Sequence, residues 1–214
     1  MSSRTRILIA DDHNLVAELC KKLLETEFDV VGIVGDGRAL VKAAGELKPD
    51  VVIVDVAMPI LNGLDAGRQV KTILPSVKLV YLTMNQDAEV AAEAFSRGAS
   101  GYLIKTCAAS EMVQAIRDVL RGKTYLSHAL SRDAVEAFRW ENKKMVNEKQ
   151  RLTDRQREVL QLLAEGKVMK EVGDVLEMTT RTVAYHKYRI MEVVGAKSNA
   201  ELIKYAVRCH IVGV

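Results

Sequence analysis

The chain of 214 residues has only three cysteines, Cys20, Cys107 and Cys209, and they are far apart. It contains no C-x-x-C and no Cys/His group at metal-ligand spacing, which argues against a disulfide framework or a zinc module and favours a reduced compartment. Long apolar runs are also missing. The opening Met1-Ser-Ser-Arg-Thr-Arg6 leads into four apolar residues, Ile7 to Ala10, before two acids. That is too short for a signal peptide, and no later run approaches the length of a membrane span. The expectation is a cytoplasmic protein that does not engage a membrane. Internal repeats and low-complexity tracts are absent. The four histidines, His13, His128, His186 and His210, are scattered and suggest no metal site. His186 is expected to pack or hydrogen-bond within its helix.

Charge of either sign is in little excess, with a formal net of +3, but its distribution is informative. From Lys149 onward there are 12 Lys/Arg against 8 Asp/Glu, whereas the preceding residues carry 19 against 20. A near-neutral first part followed by a basic second part points to a polyanion as the partner of the second. The apolar share is ordinary for a globular protein, and the length suits two small domains.

The first part alternates two periods. Short β-branched runs at 7–10, 30–34, 51–54, 77–82 and 100–104 are separated by helical stretches near 14–27, 38–48, 64–74, 87–97 and 109–121. Repeated βα units of this kind build an open parallel sheet with helices on both faces. Strands that are apolar almost throughout fit burial on both sides. A 2-1-3-4-5, flavodoxin-like order leaves a switch point between the first and third strands, where ligands bind beyond the carboxyl ends. Asp11, Asp12 and Asp55 end those two strands, Thr83 ends the fourth and Lys105 follows the fifth.

This set suits phosphoryl transfer to a carboxylate, which needs charge neutralisation and in-line positioning more than covalent chemistry. Mg²⁺ takes hard oxygen ligands. Asp12, Asp55 and the backbone carbonyl of Ala57 would bind it with waters, Asp11 acting through water. Asp55 would be the nucleophile, Thr83 a hydroxyl donor to a phosphoryl oxygen, and Lys105 a point charge. Any one of these acids alone would as readily be an N-cap for the next helix. It is the joint placement of all five on matching strand ends that favours a site.

Residues 126–150 change character: Ser127–Trp140 has a helical pattern, and 141–150 is highly polar, giving a helical or partly flexible linker. From Leu152 onward the period is helical. Thr153 and Gln156 form a capping-box pattern, and Gly166 is placed to end that helix. A short helix near 170–176 follows, then a turn at Glu177-Met178. A longer helix runs from Thr179 or Thr180 to about Val194, ended by Gly195, and a last one runs from about Ser198 to Arg208. Four such helices make a helix-turn-helix module. Val183, Ile190, Val193 and Val194 share the inner face of the third, while Arg181, Ala184, Tyr185, Lys187, Tyr188 and Arg189 share the outer one.

Residues 5–123 resemble the receiver domain of bacterial two-component response regulators. The resemblance is carried by Asp11-Asp12, by Val54-Asp55-Val-Ala-Met58-Pro59 with Asn62-Gly63, by Leu82-Thr83 and by Gly101-Tyr-Leu-Ile-Lys105. It implies that Asp55 accepts phosphate from a sensor histidine kinase. It also implies that Tyr102 is an aromatic switch whose ring swings inward as Thr83 moves toward the phosphate. Two positions depart from the pattern: Thr106 follows the lysine where proline is frequent, and the bulky Met84 follows Thr83, where it would narrow access to Asp55. Residues 151–212 resemble the LuxR-type helix-turn-helix of the NarL/FixJ class, through Leu152-Thr153-x-Arg155-x-x-Glu158-Val159-Leu160, Gly166, Lys170-Glu171-Val172, Leu176 and Thr182-Val183-x-x-His186. Carried over by position, Ala184, Tyr185 and Tyr188 neighbour base edges in double-stranded DNA, with Ala184 placed to meet a thymine methyl. Arg181, Lys187 and Arg189 hold phosphates. Val168-Met169 stands where polar caps are usual. Gly173 replaces a usual alanine, which by propensity weakens its helix by about 1 kcal/mol.

The expectation is therefore a phosphorylation-regulated transcription factor and not an enzyme. It comprises a receiver at 1–125, a linker at 126–150 and a DNA-binding domain at 151–214, dimeric when active, with release of a masked recognition helix as one route to activation. A phosphatase of the haloacid dehalogenase type needs a second Asp two residues after the nucleophile, and here that position is Ala57. The remaining alternative is a DNA-binding regulator whose receiver-like domain senses a ligand or partner without phosphorylation.

Overall fold

Apolar runs buried on both faces become parallel strands. The computed structural model describes residues 4–84, 86–107, 109–130, 136 and 152–212. In it the first part holds β1 (Arg6–Ala10), β2 (Asp29–Val34), β3 (Val51–Val54), β4 (Lys78–Thr83) and β5 (Gly101–Ile104). All neighbouring strands pair in parallel. The order is β2-β1-β3-β4-β5, extended at the β5 edge by a sixth strand, β6 (Tyr125–Leu126). This short strand adds to the five read from the sequence. It is two residues long, too short to show a period, and it exists through its pairing with Gly101 and Tyr102. The chain continues packed past it: Ser127 is buried, and its N–H donates to the Tyr102 carbonyl at 2.9 Å.

Five helices, α1 (Asn14–Leu24), α2 (Gly37–Leu47), α3 (Gly63–Ile73), α4 (Ala88–Ser96) and α5 (Ala109–Leu120), cover the sheet. Ile7, Ile9, Ile53, Leu82 and Leu103 point to one face and pack with Ala17 and Leu24 of α1 and Ala115 and Ile116 of α5. Side chains alternate across a strand, so Leu8, Leu79 and Tyr81 face the other side. There Gly67 of α3 lies so close that a Cβ would stand 2.2 Å from the Tyr81 hydroxyl.

The described residues divide into two compact units, this α/β unit and a helical one. The helical unit contains α6 (Asp154–Ala164), α7 (Met169–Leu176), α8 (Thr180–Val194) and α9 (Asn199–Arg208), around a core that includes Val159, Leu162, Val172, Leu176, Val183, Ile190, Leu202 and Ala206. The caps follow the sequence. The Thr153 hydroxyl accepts from Gln156 N–H at 3.3 Å, and the Gln156 side chain accepts from Thr153 N–H at 2.8 Å. Gly166 takes φ +88° beyond the end of α6 and Gly195 takes φ +72° at the end of α8. Thr179, not Thr180, caps α8.

At α7 the structure revises the expectation. Val168 supplies no side-chain cap, but Glu171 reaches back to accept its N–H at 2.8 Å. A Cβ on Gly173 would stand 2.6 Å from the Met178 carbonyl oxygen. Glycine there lets the turn into α8 fold back against α7, a tertiary requirement that helix propensity does not contain. Most of the Ser127–Trp140 helix and all of the polar 141–150 segment expected from the sequence fall outside the described residues.

Candidate functional site

Strand register assembles the acidic pocket. Ala10 pairs with Val54, Val54 with Tyr81 and Thr83 with Ile104, so the carboxyl ends of β1, β3, β4 and β5 finish along one edge. One backbone bond past each strand end draws the functional residues in. Asp55 N–H donates to the Ala10 carbonyl at 2.8 Å, and Lys105 N–H donates to the Thr83 carbonyl at 2.8 Å. Asp11, Asp55 and Thr83 are all buried at this edge.

Lys105 joins the acids. Its Nζ lies 2.8 Å from Asp11 Oδ2 and 2.8 Å from Asp55 Oδ2. Burial pushes the Asp55 carboxyl above its ordinary range, the Asp11 charge adds to that, and Lys105 pulls it back down. For the lysine, burial acts to depress the ammonium's pKa, but the bonds to Asp11 and Asp55 outweigh it and the net shift is upward. No cis peptide occurs among the described residues, so Lys105 reaches both carboxylates across a trans bond to Thr106. Asp11 Oδ1 accepts from His13 N–H at 2.9 Å, which ties down the turn before α1 without capping the helix, since His13 is the N-cap and has no side-chain cap bond.

Asp12 is exposed, and His13 stands beside it, with Nδ1 2.9 Å from Asp12 Oδ1 and 3.3 Å from Asp11 Oδ1. Ligand atoms of Asp11, Asp12, His13 and Asp55 all lie within 4.8 Å of one another. The histidines are scattered and suggest no metal site, but His13, next to the acid pair in sequence, lies within this group of ligand atoms. The three carboxylates are hard oxygen donors of the kind Mg²⁺ takes, so the donor set fits that ion. Ala57 is exposed in the loop after β3, and its N–H donates to Asp55 Oδ1 at 3.3 Å.

Gly63, already part of the motif that carries the resemblance, has a packing role that the fold makes visible. A Cβ there would stand 1.9 Å from the Asp55 carbonyl oxygen, and its N–H donates to the Val56 carbonyl at 2.9 Å. The start of α3 is thus packed directly against the backbone of Asp55. Tyr102 is fully buried, with its ring centroid 6.5 Å from that of Tyr81. The ring expected to swing inward is already inside in this structure. Met84, in contrast, is 65% exposed at the end of β4.

In the helical unit, Val183 and Ile190 bury one side of α8, and Val193 and Val194 pack against the same core. Arg181, Tyr185, Tyr188 and Arg189 are exposed, and Ala184 and Lys187 partly so. All six predicted DNA-facing residues therefore lie off the buried side. Arg189 is paired with Glu192 at 2.5 Å, and Lys187 Nζ lies 6.0 Å from the Tyr188 ring centroid. His186 packs edge-on against Tyr185 at 5.6 Å between centroids, in line with a structural role.

Residues 7–117 match the response regulator receiver domain family, and residues 150–206 match the LuxR family of bacterial regulatory proteins. The chain is 34% identical to the transcriptional regulatory protein LnrK of Bacillus subtilis, over 95% of this chain and 96% of that one. It is 33% identical to the response regulator GacA of Pseudomonas aeruginosa, over 95% of each. Among solved structures it resembles RcsB in the form of two dimers bound to two parallel DNAs, with TM-score 0.56 and 25% identity over 95% of this chain and 98% of that one. Salmonella typhimurium RcsB in another structure gives TM-score 0.60 at 25% identity, over 95% of this chain and 96% of that one. With a receiver matched over more than half its length, a LuxR-type domain behind it and relatives alike from end to end, the chain belongs to the two-component response regulators of the NarL/FixJ class.

Proposed function

We propose that Asp55 is the phosphoryl acceptor and that its phosphorylation by a sensor histidine kinase controls DNA binding through α8. The observation that carries this reading is the Lys105 ammonium held 2.8 Å from both Asp11 and Asp55 at the carboxyl edge of the sheet. A nitrogen–phosphorus bond of the kinase phosphohistidine breaks as an Asp55 oxygen–phosphorus bond forms. The developing negative charge falls where Lys105 already sits and where the Thr83 hydroxyl can donate. Asp11, Asp12 and Asp55, with the Ala57 carbonyl, would hold Mg²⁺, which when bound supplies positive charge to the equatorial phosphoryl oxygens. Ala57 stands where an enzyme of the haloacid dehalogenase type has its second Asp, so the group is retained as a signal and not turned over on outside substrates.

Thr83 and Tyr102 relay the change to the receiver surface, and the receiver ends near residue 125, ahead of the linker. Arg181, Lys187 and Arg189 contact phosphates, while Ala184, Tyr185 and Tyr188 face base edges. The active protein is a homodimer reading two half-sites, as RcsB dimers on DNA illustrate for that relative. It works in the cytoplasm, where kinase output and DNA are both present. Phosphate-affinity electrophoresis with a small phosphodonor is expected to give a shifted band that disappears in Asp55→Asn. No shifted band, or one that survives the substitution, would sink the proposal.

A further inference from the structure

We infer that α8 reads its operator through thymine methyl groups and not through bidentate hydrogen bonds to guanine or adenine. The inference rests on α8 being the recognition helix. Val183 and Ile190 fix the buried side of that helix. Residues three and four apart share a helix face, so Arg181, Tyr185 and Tyr188 form a stripe away from the core, with Ala184 beside it. Tyr185 and Tyr188 are 62% and 65% exposed, so neither is retained for core packing.

The hydrogen-bonding inventory of this face is thin. α8 contains no Asn or Gln, the side chains that pair bidentately with adenine. Arg189, paired with Glu192 at the surface, lies toward the phosphate side, and Lys187 leans over the Tyr188 ring on the flank. Arg181 stands in the first turn, the place of a phosphate clamp beside the helix N-terminus. Single hydroxyls on two tyrosines discriminate poorly, since specificity in the major groove comes mainly from paired donors and acceptors. What the stripe offers in quantity is apolar surface: two phenol rings and the Ala184 methyl, whose small size lets the helix approach the groove floor. The C5-methyl of thymine is the apolar group on that floor.

The test uses the full chain with phosphodonor. Bound duplexes are selected from a random library, and the best one is resynthesised with deoxyuridine for each thymidine, and with 7-deazaguanine for each guanine, one position at a time. Deoxyuridine removes only the methyl, and burial of one methyl predicts a loss of about fourfold in affinity at the contacted positions. Deazaguanine, which lacks the N7 acceptor, should change binding by less than about twofold, well under what removal of a bidentate contact costs. Equal binding of thymidine and deoxyuridine duplexes at every position overturns the inference alone, as does a larger loss from deazaguanine. Absence of any sequence-selective binding, with and without phosphodonor, overturns the DNA-binding assignment and this inference with it.

Discussion

Lys105 is shared between two buried carboxylates, and that sharing shapes the electrostatics of Asp55. Burial raises the Asp55 pKa in the folded state, with Lys105 opposing it. A carboxyl whose folded pKa lies above its unfolded value contributes stability that is present at low pH and lost as pH rises through the folded pKa. In magnesium-free buffer, the non-ionising Asp55→Asn variant should therefore match the native protein below the ordinary carboxyl value of 3.8 and become the more stable of the two as pH rises above it. Thermal melts across pH measure this, and parallel curves would count against the shift. The Cys20 thiol, pushed up to about 11 chiefly by burial, behaves as a packed apolar group and needs no redox role. At this scale the gathering of Asp11, Asp12, Asp55, Thr83 and Lys105 at one sheet edge was legible in the sequence, because each stands at or just past the end of a recognisable strand. His13 stands beside the acid pair and Gly63 within the receiver motif, but how either packs was not legible. One approaches the site through a turn, and the other matters for the absence of a side chain against the Asp55 carbonyl.

Elements were legible where they carry a period or a cap. The βα alternation and the capping signals at Thr153, Gly166, Thr179, Gly195 and Ser198 are local chemistry, and the structure has them. β6 and α7 show the limit. β6 is created by pairing with β5, and α7 carries a glycine that local propensity counts as a defect. The two accounts of Gly173 differ in sign. Propensity says that Gly173→Ala stabilises the helix by about 1 kcal/mol. The 2.6 Å approach to the Met178 carbonyl says that the added methyl clashes with backbone that cannot rotate away, and overpacking of this kind costs about 1–3 kcal/mol. The net expectation is destabilisation of the helical unit, read from its chemical denaturation midpoint. A variant more stable than the native protein would restore the propensity account.

Across the whole molecule, the basic balance of the second part should appear as salt dependence. Counterion release makes the logarithm of DNA affinity fall linearly with the logarithm of salt, by about 0.9 per phosphate neutralised. Arg181→Ala, Lys187→Ala and Arg189→Ala should each make the slope shallower by about that amount, in fluorescence anisotropy titrations. Tyr185→Phe should leave the slope unchanged, since a phenol hydroxyl carries no charge. An unaltered slope in all three cation variants would remove them from the phosphate-contacting set.

The sequence by itself determined the two-part organisation, the parallel doubly wound sheet, the placement of the five candidate pocket residues on one sheet edge and the outward face of α8. Each of these follows from strand and helix periods, caps and charge, which act within a few residues of their cause. Only the tertiary structure decided that Lys105 bridges Asp11 and Asp55, that Tyr102 is already inside, that β6 extends the sheet, and that Gly63, Gly67 and Gly173 are places where backbone or a ring comes too close for a side chain. Those outcomes depend on distances between segments remote in the chain, and no local pattern encodes them.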